Sequence, residues 1–285
     1  MRVNMRKGAL TGMLLIVSVL MLAPFVATIT NSFMTVNEIA LNYDAAGGSA
    51  VPEDYANLKW IPDWVTLEQY KELLLVKPLF LQMFWNSALL AVPIVAGQTI
   101  VAALAAYAFA KMRFPGRDAL FFLYIVTMLL PFQVTLVPNF IAMDKLGLLG
   151  SYPSIILPGI FSAFGVFLLR QFMVQIPWDY VEAAKVDGAG QGKIFSAVIM
   201  PLAMPGIAAL QILAFIDNWN MVEQPLLFLN DALKQPLSVF LSRVNQGDRS
   251  VAFAAAVLYM APALFLFLHG ENELIEGIQL TGIKG

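Results

Sequence analysis

Long uncharged runs dominate the chain. Six stretches contain no Asp, Glu, Lys or Arg: Gly8–Asn37, Pro78–Ala110, Ala119–Met143, Leu146–Leu169, Ile194–Ile216 and Ser250–Gly270. Crossing about 30 Å of hydrocarbon takes about 20 helical residues, so each run is long enough to span a bilayer. In lipid, backbone polar groups must be paired within their own segment, which predicts helices. The pattern therefore predicts an all-α, polytopic membrane protein with six transmembrane helices. A cleaved signal peptide competes for the first run, since Arg2, Arg6 and Lys7 precede it. The run exceeds the usual apolar region of such peptides, however, and no small-residue cleavage site closes it.

The polar positions between the runs set the orientation. Arg2, Arg6 and Lys7 ahead of the first span, and Lys111, Arg113 and Arg117 between the second and third, place both segments in the cytoplasm. The segment from Phe33 to Lys77 carries seven acidic residues against three lysines and falls outside. It holds Gly47-Gly48-Ser49 and Trp60-Ile61-Pro62-Asp63-Trp64, which predict a partly ordered external loop. Six crossings return the C-terminus to the cytoplasm, although the tail carries Glu271, Glu273 and Glu276 and only Lys284. The expected organisation is a cytoplasmic N-terminus and first helix (1–32), an external loop (33–77) and a five-helix core (78–285). Every span contains proline: Pro24, Pro93, Pro131 and Pro138, Pro158, Pro201 and Pro205, and Pro262. Proline frees a backbone carbonyl and kinks a helix, which favours a transporter over an inert anchor.

Composition narrows the function. The chain is 59% hydrophobic and 13% charged, with net charge −2, which excludes intrinsic disorder and offers no basic surface for nucleic acid. It has no cysteine and a single histidine, His269, so a zinc ribbon, a thiol nucleophile and a histidine-based metal site are all disfavoured.

The most informative segment is Ile176-Pro177-Trp178-Asp179-Tyr180-Val181-Glu182-Ala183-Ala184-Lys185-Val186-Asp187-Gly188, within a cytoplasmic loop at about 173–195. Pro177 suits a first helical position, and Asp179 and Glu182 suit the positive end of a helix. Gly188 can turn the chain out of it. The expected product is a short helix beside the membrane, shaped to fill a groove on a cytoplasmic partner.

Glu182-Ala183-Ala184, Gly188 four residues after Ala184, and Val198-Ile199-Met200-Pro201 resemble the E-A-A loop of ABC-importer permeases. Val198 and Met200 are conservative departures from that pattern. Gln133-Val134-Thr135-Leu136-Val137-Pro138, Lys145-Leu146-Gly147-Leu148-Leu149, Leu157-Pro158-Gly159, Phe167-Leu168-Leu169-Arg170-Gln171-Phe172, Trp219-Asn220 and Gly282-Ile283-Lys284-Gly285 are similar to its carbohydrate branch, the maltose-importer (MalG-like) family. The likeness runs from about Thr66 onward and is poorest in the external loop and in Gly270–Leu280. The resemblance implies a type I ABC importer permease fold in a bacterial or archaeal cytoplasmic membrane. It implies a second permease, two ATPase subunits and an extracytoplasmic solute-binding protein as partners, with ATP and Mg on the ATPases and no cofactor on this chain. It assigns Glu182, Ala183, Ala184, Asp187 and Gly188 to contact with the ATPase. The cargo implied is a sugar, an oligosaccharide or a glycerol-phosphate type solute.

The chain does not read as an ATPase itself. Gly188-Ala189-Gly190-Gln191-Gly192-Lys193 imitates a phosphate loop, but Asp187 stands where its first glycine belongs and Ile194 where Ser or Thr must follow the lysine.

Polar groups inside spans are costly and mark pathway candidates. Gln211 and Asn218 are seven residues apart and share a helix face, followed by Trp219 and Asn220. An aromatic beside amides suits a sugar, while helix–helix adhesion explains the same residues equally well. Asp217 reads as interfacial. Gln133 and Thr135 lie between Pro131 and Pro138, where opened carbonyls can join them. Asn86, Ser87, Gln98 and Thr99 read first as helix contacts. The competing function is a secondary transporter driven by an ion gradient. It requires ionisable residues deep in the spans and a paired repeat, and the sequence offers neither.

Overall fold

The computed structural model describes residues 2–43, 59–242 and 249–282. Gly47-Gly48-Ser49 of the expected external loop and residues 283–285 lie outside the described residues, as do the side chains of the acidic tail beyond Glu271. The elements run α1 (Arg2–Asn31), α2 (Val36–Tyr43), α3 (Glu68–Lys71, continued by a π turn over Glu72–Val76) and α4 (Pro78–Lys111). Next come α5 (Arg117–Met128), α6 (Phe132–Lys145), α7 (Pro153–Gly159), α8 (Ala163–Gln175) and α9 (Trp178–Val186). Then follow α10 (Gln191–Ile194), a π turn (Phe195–Ile199), α11 (Met200–Leu202), α12 (Met204–Trp219), α13 (Glu223–Phe228), α14 (Leu237–Ser242) and α15 (Arg249–Gly282). No strand occurs among the described residues.

Among the described residues, four segments are long and apolar enough to cross a membrane as they stand: Leu10–Asn31, Pro78–Lys111, Pro153–Gln175 and Val251–Glu271. The third and fifth expected spans are not single rods. Arg117–Met128 and Phe132–Lys145 meet at 101°, and Gln191–Leu202 and Met204–Trp219 at 75°. The first break falls at Pro131, whose ψ of 141° lies outside the helical region and which donates no hydrogen bond. The second break falls at Ala203, between Pro201 and Pro205. The fourth span begins at Pro153 rather than Leu146. Gly147 takes a left-handed φ of 67° and closes α6 by donating to the Asp144 carbonyl, while Leu148 donates to Met143. Gly150 turns again at φ 78°, so helix resumes only beyond it.

The chain divides into two compact units, residues 1–82 with 240–261, and 83–239 with 262–285. In the first, the segment after α1 is knotted by polar side chains. Gln69, fully buried, donates to the carbonyls of Asn31, the last residue of α1, and of Met34 just beyond it, and accepts from the Ala254 amide. Buried Glu38 accepts from the Asp63 amide and pairs with Lys59 at 2.8 Å. Asp63, then Glu38, hold the Lys59 ammonium above the ordinary lysine range.

In the second unit α4, α8 and α12 approach closely through small residues, as membrane helices do. A Cβ on Gly165 would lie 3.2 Å from Ala102, and one on Gly206 only 2.5 Å from the Phe172 ring. Ala103, Ala106, Leu169, Met173, Ile207 and Leu210 complete this core. Asn86 and Gln98 are the helix contacts expected of them: Asn86 donates to the carbonyls of Leu233 and Gln235 and accepts from the Tyr152 hydroxyl, and Gln98 donates to Gly159. Asn86→Leu removes all three of these hydrogen bonds. It should cost about 3 kcal/mol and lower the thermal midpoint of the detergent-solubilised protein by about 5–10 °C. An unchanged midpoint would show that this amide holds nothing.

Candidate functional site

The α9 helix is built much as its sequence dictates, with one shift. Pro177 has ψ 145° and caps the helix instead of beginning it, so Trp178 is the first helical residue. At the other end Gly188 adopts φ 77°, which an L-residue resists. Its amide donates to Lys185 and the next amide, of Ala189, donates to Ala184, satisfying two of the last carbonyls of the helix.

One side of α9 is sewn into the protein. Val181 is 1% exposed and belongs to the same apolar cluster as Leu169, Met173, Ile207 and Leu210, and Ala184 packs against it. Glu182, Ala183, Lys185, Val186, Asp187 and Gly188 face outward. Through Val181, α9 thus shares one apolar cluster with residues of α4, α8 and α12.

The end of α4 grips both ends of this element. Lys111, 4% exposed, donates to the Ile176 carbonyl just before α9, and its ammonium lies 5.3 Å from the centre of the Trp178 ring. The Arg113 guanidinium is 5.8 Å from the same ring. Beyond α9, the Tyr107 hydroxyl donates to Gln191 at 2.7 Å and its ring sits 5.2 Å from Phe195. Sequence reading took Lys111 and Arg113 only as orienting charges and missed Tyr107, Trp178 and Gln191 as anchors. A cleft of about 350 Å³ between Lys111, Arg113, Trp178, Glu182 and Lys185 lies open beside the helix.

A second polar region lies at the far end of α12, where a cavity of about 410 Å³ brings together Gln133, Asn218 and Asn220 from the expected pathway set, with Phe132, Asp217 and Glu223. The other three expected residues are not among its lining. Gln211 is exposed on α12, but seven residues before Asn218 is about 10 Å along the axis. Thr135 donates back to the Phe132 carbonyl and sits on a different face of α6 from Gln133. Trp219 is 2% exposed, with its ring stacked on Phe215 at 5.2 Å and met edge-on by Phe84. The exposed aromatic of the cavity is Phe132 instead, at 45%. Asp217 and Glu223 have no ion-pair partner among the described residues. No cluster of three metal-ligating side chains occurs among the described residues.

Comparison with known proteins places a helix docked on a bundle core and a polar cavity at the other end of α12 in a family. The family model for the inner membrane component of binding-protein-dependent transport systems matches residues 78–269. The chain belongs to this family. As a permease of this kind it is a multi-pass membrane protein. The arabinooligosaccharides transport system permease AraQ of Halalkalibacterium halodurans is 30% identical over 227 residues, covering 79% of this permease and 81% of that protein. The sn-glycerol-3-phosphate transport system permease UgpE of Brucella abortus is 32% identical over 205 residues, covering 70% and 73%. Among solved structures, a chain of a bacterial ABC transporter involved in importing the acidic polysaccharide alginate superposes with TM-score 0.79 over 95% of this permease and 98% of its own length. At 24% identity that likeness shows the fold.

Proposed function

We propose that this permease is one of two transmembrane subunits of an ATP-driven importer of a sugar or oligosaccharide. In this reading it crosses the cytoplasmic membrane six times, each bent pair counting as one span, with both termini in the cytoplasm. The observation that carries the reading is α9: its inner face is continuous with the transmembrane core, and its outer face offers Glu182, Ala183, Asp187 and Gly188 to a partner. Two ATPase subunits bind and hydrolyse ATP with Mg, and this chain holds no cofactor. Closure of the ATPase pair pushes α9, and the push reaches α4, α8 and α12 through Val181, Lys111 and Tyr107. A solute-binding protein delivers cargo to the outer side, where Gln133, Asn218 and Asn220 meet it on the way in. The chain's own work is differential stability between two packed states, which is all that coupling requires.

The test is extraction from the native membrane in mild detergent, followed by mass spectrometry of what co-purifies. An ATPase and a second permease are expected. Recovery of the chain alone or as a homo-oligomer, under conditions that keep other complexes whole, overturns the reading in favour of a self-sufficient transporter. In cells, Asn218→Leu with Asn220→Leu should lower uptake of the cargo about tenfold or more at matched expression, since two buried ligand hydroxyls lose their partners.

A further inference from the structure

The segment between α1 and α4 pairs its charges and turns its apolar side chains outward. We infer that residues 60–67, with the π turn before α4, form a lip that lies in the headgroup layer of the outer leaflet. The inference rests on α1 and α4 crossing the membrane, as proposed above. It goes beyond that reading by assigning this surface to lipid and not to a partner protein.

Hydrogen bonds fix where the lip sits. The span Leu10–Asn31 has 22 residues, which matches about 30 Å of hydrocarbon and puts Asn31 at its edge. Two residues beyond Asn31, the Phe33 carbonyl accepts from the Thr66 amide at 2.8 Å. Glu38 accepts from the Asp63 amide, also at 2.8 Å. Trp64 and Val65 lie between these two ties. An extended residue spans at most about 3.6 Å, so neither can stand far from the bilayer surface. What they present there is apolar. Ile61, Trp64 and Val65 are 77%, 76% and 78% exposed, and Trp60 and Leu67 are exposed beside them. The charges within the run, Lys59 and Asp63, pair with each other, and Lys59 also pairs with Glu38. A loop bathed in water has the reverse pattern, and so dense an apolar surface marks an interaction site. Leu74, Leu75 and Val76 extend it to Pro78, where the next span begins. The lip is thus continuous at both ends with helices whose outward side chains, such as Leu20 and Met21 of α1, are themselves apolar and exposed. Two tryptophans at this level fit the headgroup layer, where an amphipathic ring keeps its N–H wet and its face in lipid.

The experiment uses the full chain, purified with its native partners, in phosphatidylcholine nanodiscs. The chain has no cysteine, so Ile61→Cys, Val65→Cys and Leu20→Cys each give it one site for a bimane fluorophore. The wild-type complex, carried through the same labelling, supplies the background from partner subunits. Quenching is compared between aqueous iodide and a phosphatidylcholine bearing a nitroxide near its headgroup. At residues 61 and 65 the nitroxide lipid should quench at least about threefold more strongly than iodide. Stronger quenching by iodide at either position puts the lip in water and overturns the inference. Protection from both quenchers overturns it as well, and shows that a protein covers the surface. In either case a label at residue 20 that iodide does not reach leaves α1 standing as a span. Iodide quenching at residue 20 removes that span, and the inference with it.

Discussion

Gly188→Pro should reduce uptake to background while leaving the protein at its normal level in the membrane. The native residue sits at φ 77°, and proline is held near φ −65°. The substitution also removes the amide that donates to Lys185, and it pushes Asp187, now at φ −73° and ψ 4°, out of the region it occupies. The combined cost is at least about 3 kcal/mol, concentrated on the last turn of a nine-residue helix. Because Gly188 lies in a connection, membrane insertion does not depend on it. Gly188→Ala is the matched comparison. Its Cβ would meet nothing within 4 Å, so it should cost only the left-handed penalty of about 1–2 kcal/mol and retain measurable uptake. Ala184→Phe belongs with the proline variant, since Ala184 packs on the core and a ring there forces α9 off its bed. Measurement of uptake at matched expression decides the matter, and normal uptake in the proline variant would remove α9 as the coupling element.

That α9 could be read to within one residue follows from its signals being local. A proline, an acidic first turn and a glycine needing positive φ act over a few residues, and nothing distant competes with them. The bends in the spans were not legible in the same way. Proline occurs in all six apolar runs, yet Pro24, Pro93, Pro138 and Pro262 lie inside continuing helices. The chain breaks instead at Pro131 and between Pro201 and Pro205. Whether a freed carbonyl is tolerated or the helix is broken depends on what packs beside it, and hydropathy carries no information about neighbours.

The polar cavity shows the same division. Asn218, Asn220 and Gln133 stood out as amides in apolar surroundings, and they do share a cavity. Trp219 stood out equally, yet it is the most deeply packed ring of α12, because Phe215 one turn earlier and Phe84 on α4 enclose it. Phe132 attracted no notice, being one of 21 phenylalanines in the chain. It directly follows the break before α6 and is exposed there. Lys111 was read as a loop charge on the assumption that α4 ended at Ala110. The helix includes Lys111, and that single residue carries the ammonium from solvent to the Ile176 carbonyl.

Lys111→Ala should therefore disconnect α9 from α4 without unfolding either. A hydrogen bond from a charged donor contributes about 1.5–3 kcal/mol, so the docked position of α9 should become roughly 10–100 times less favoured relative to a loosened one. In the proposed importer, uptake should fall by about that factor while ATP hydrolysis continues, raising the ATP spent per solute moved. Lys111→Arg keeps the charge over Trp178 and should restore most of the loss, which a purely volumetric role would not explain. Tyr107→Phe loosens the other end by removing one neutral hydrogen bond of about 1 kcal/mol and should lower uptake only about fivefold. Because Lys111 holds Ile176 just before α9 and Tyr107 holds Gln191 just after it, the double variant should be less impaired than the product of the two single effects, once either release has loosened the segment. Unchanged stoichiometry in Lys111→Ala would mean that the push travels through Val181 and the core of α8 and α12 alone, with α4 a bystander.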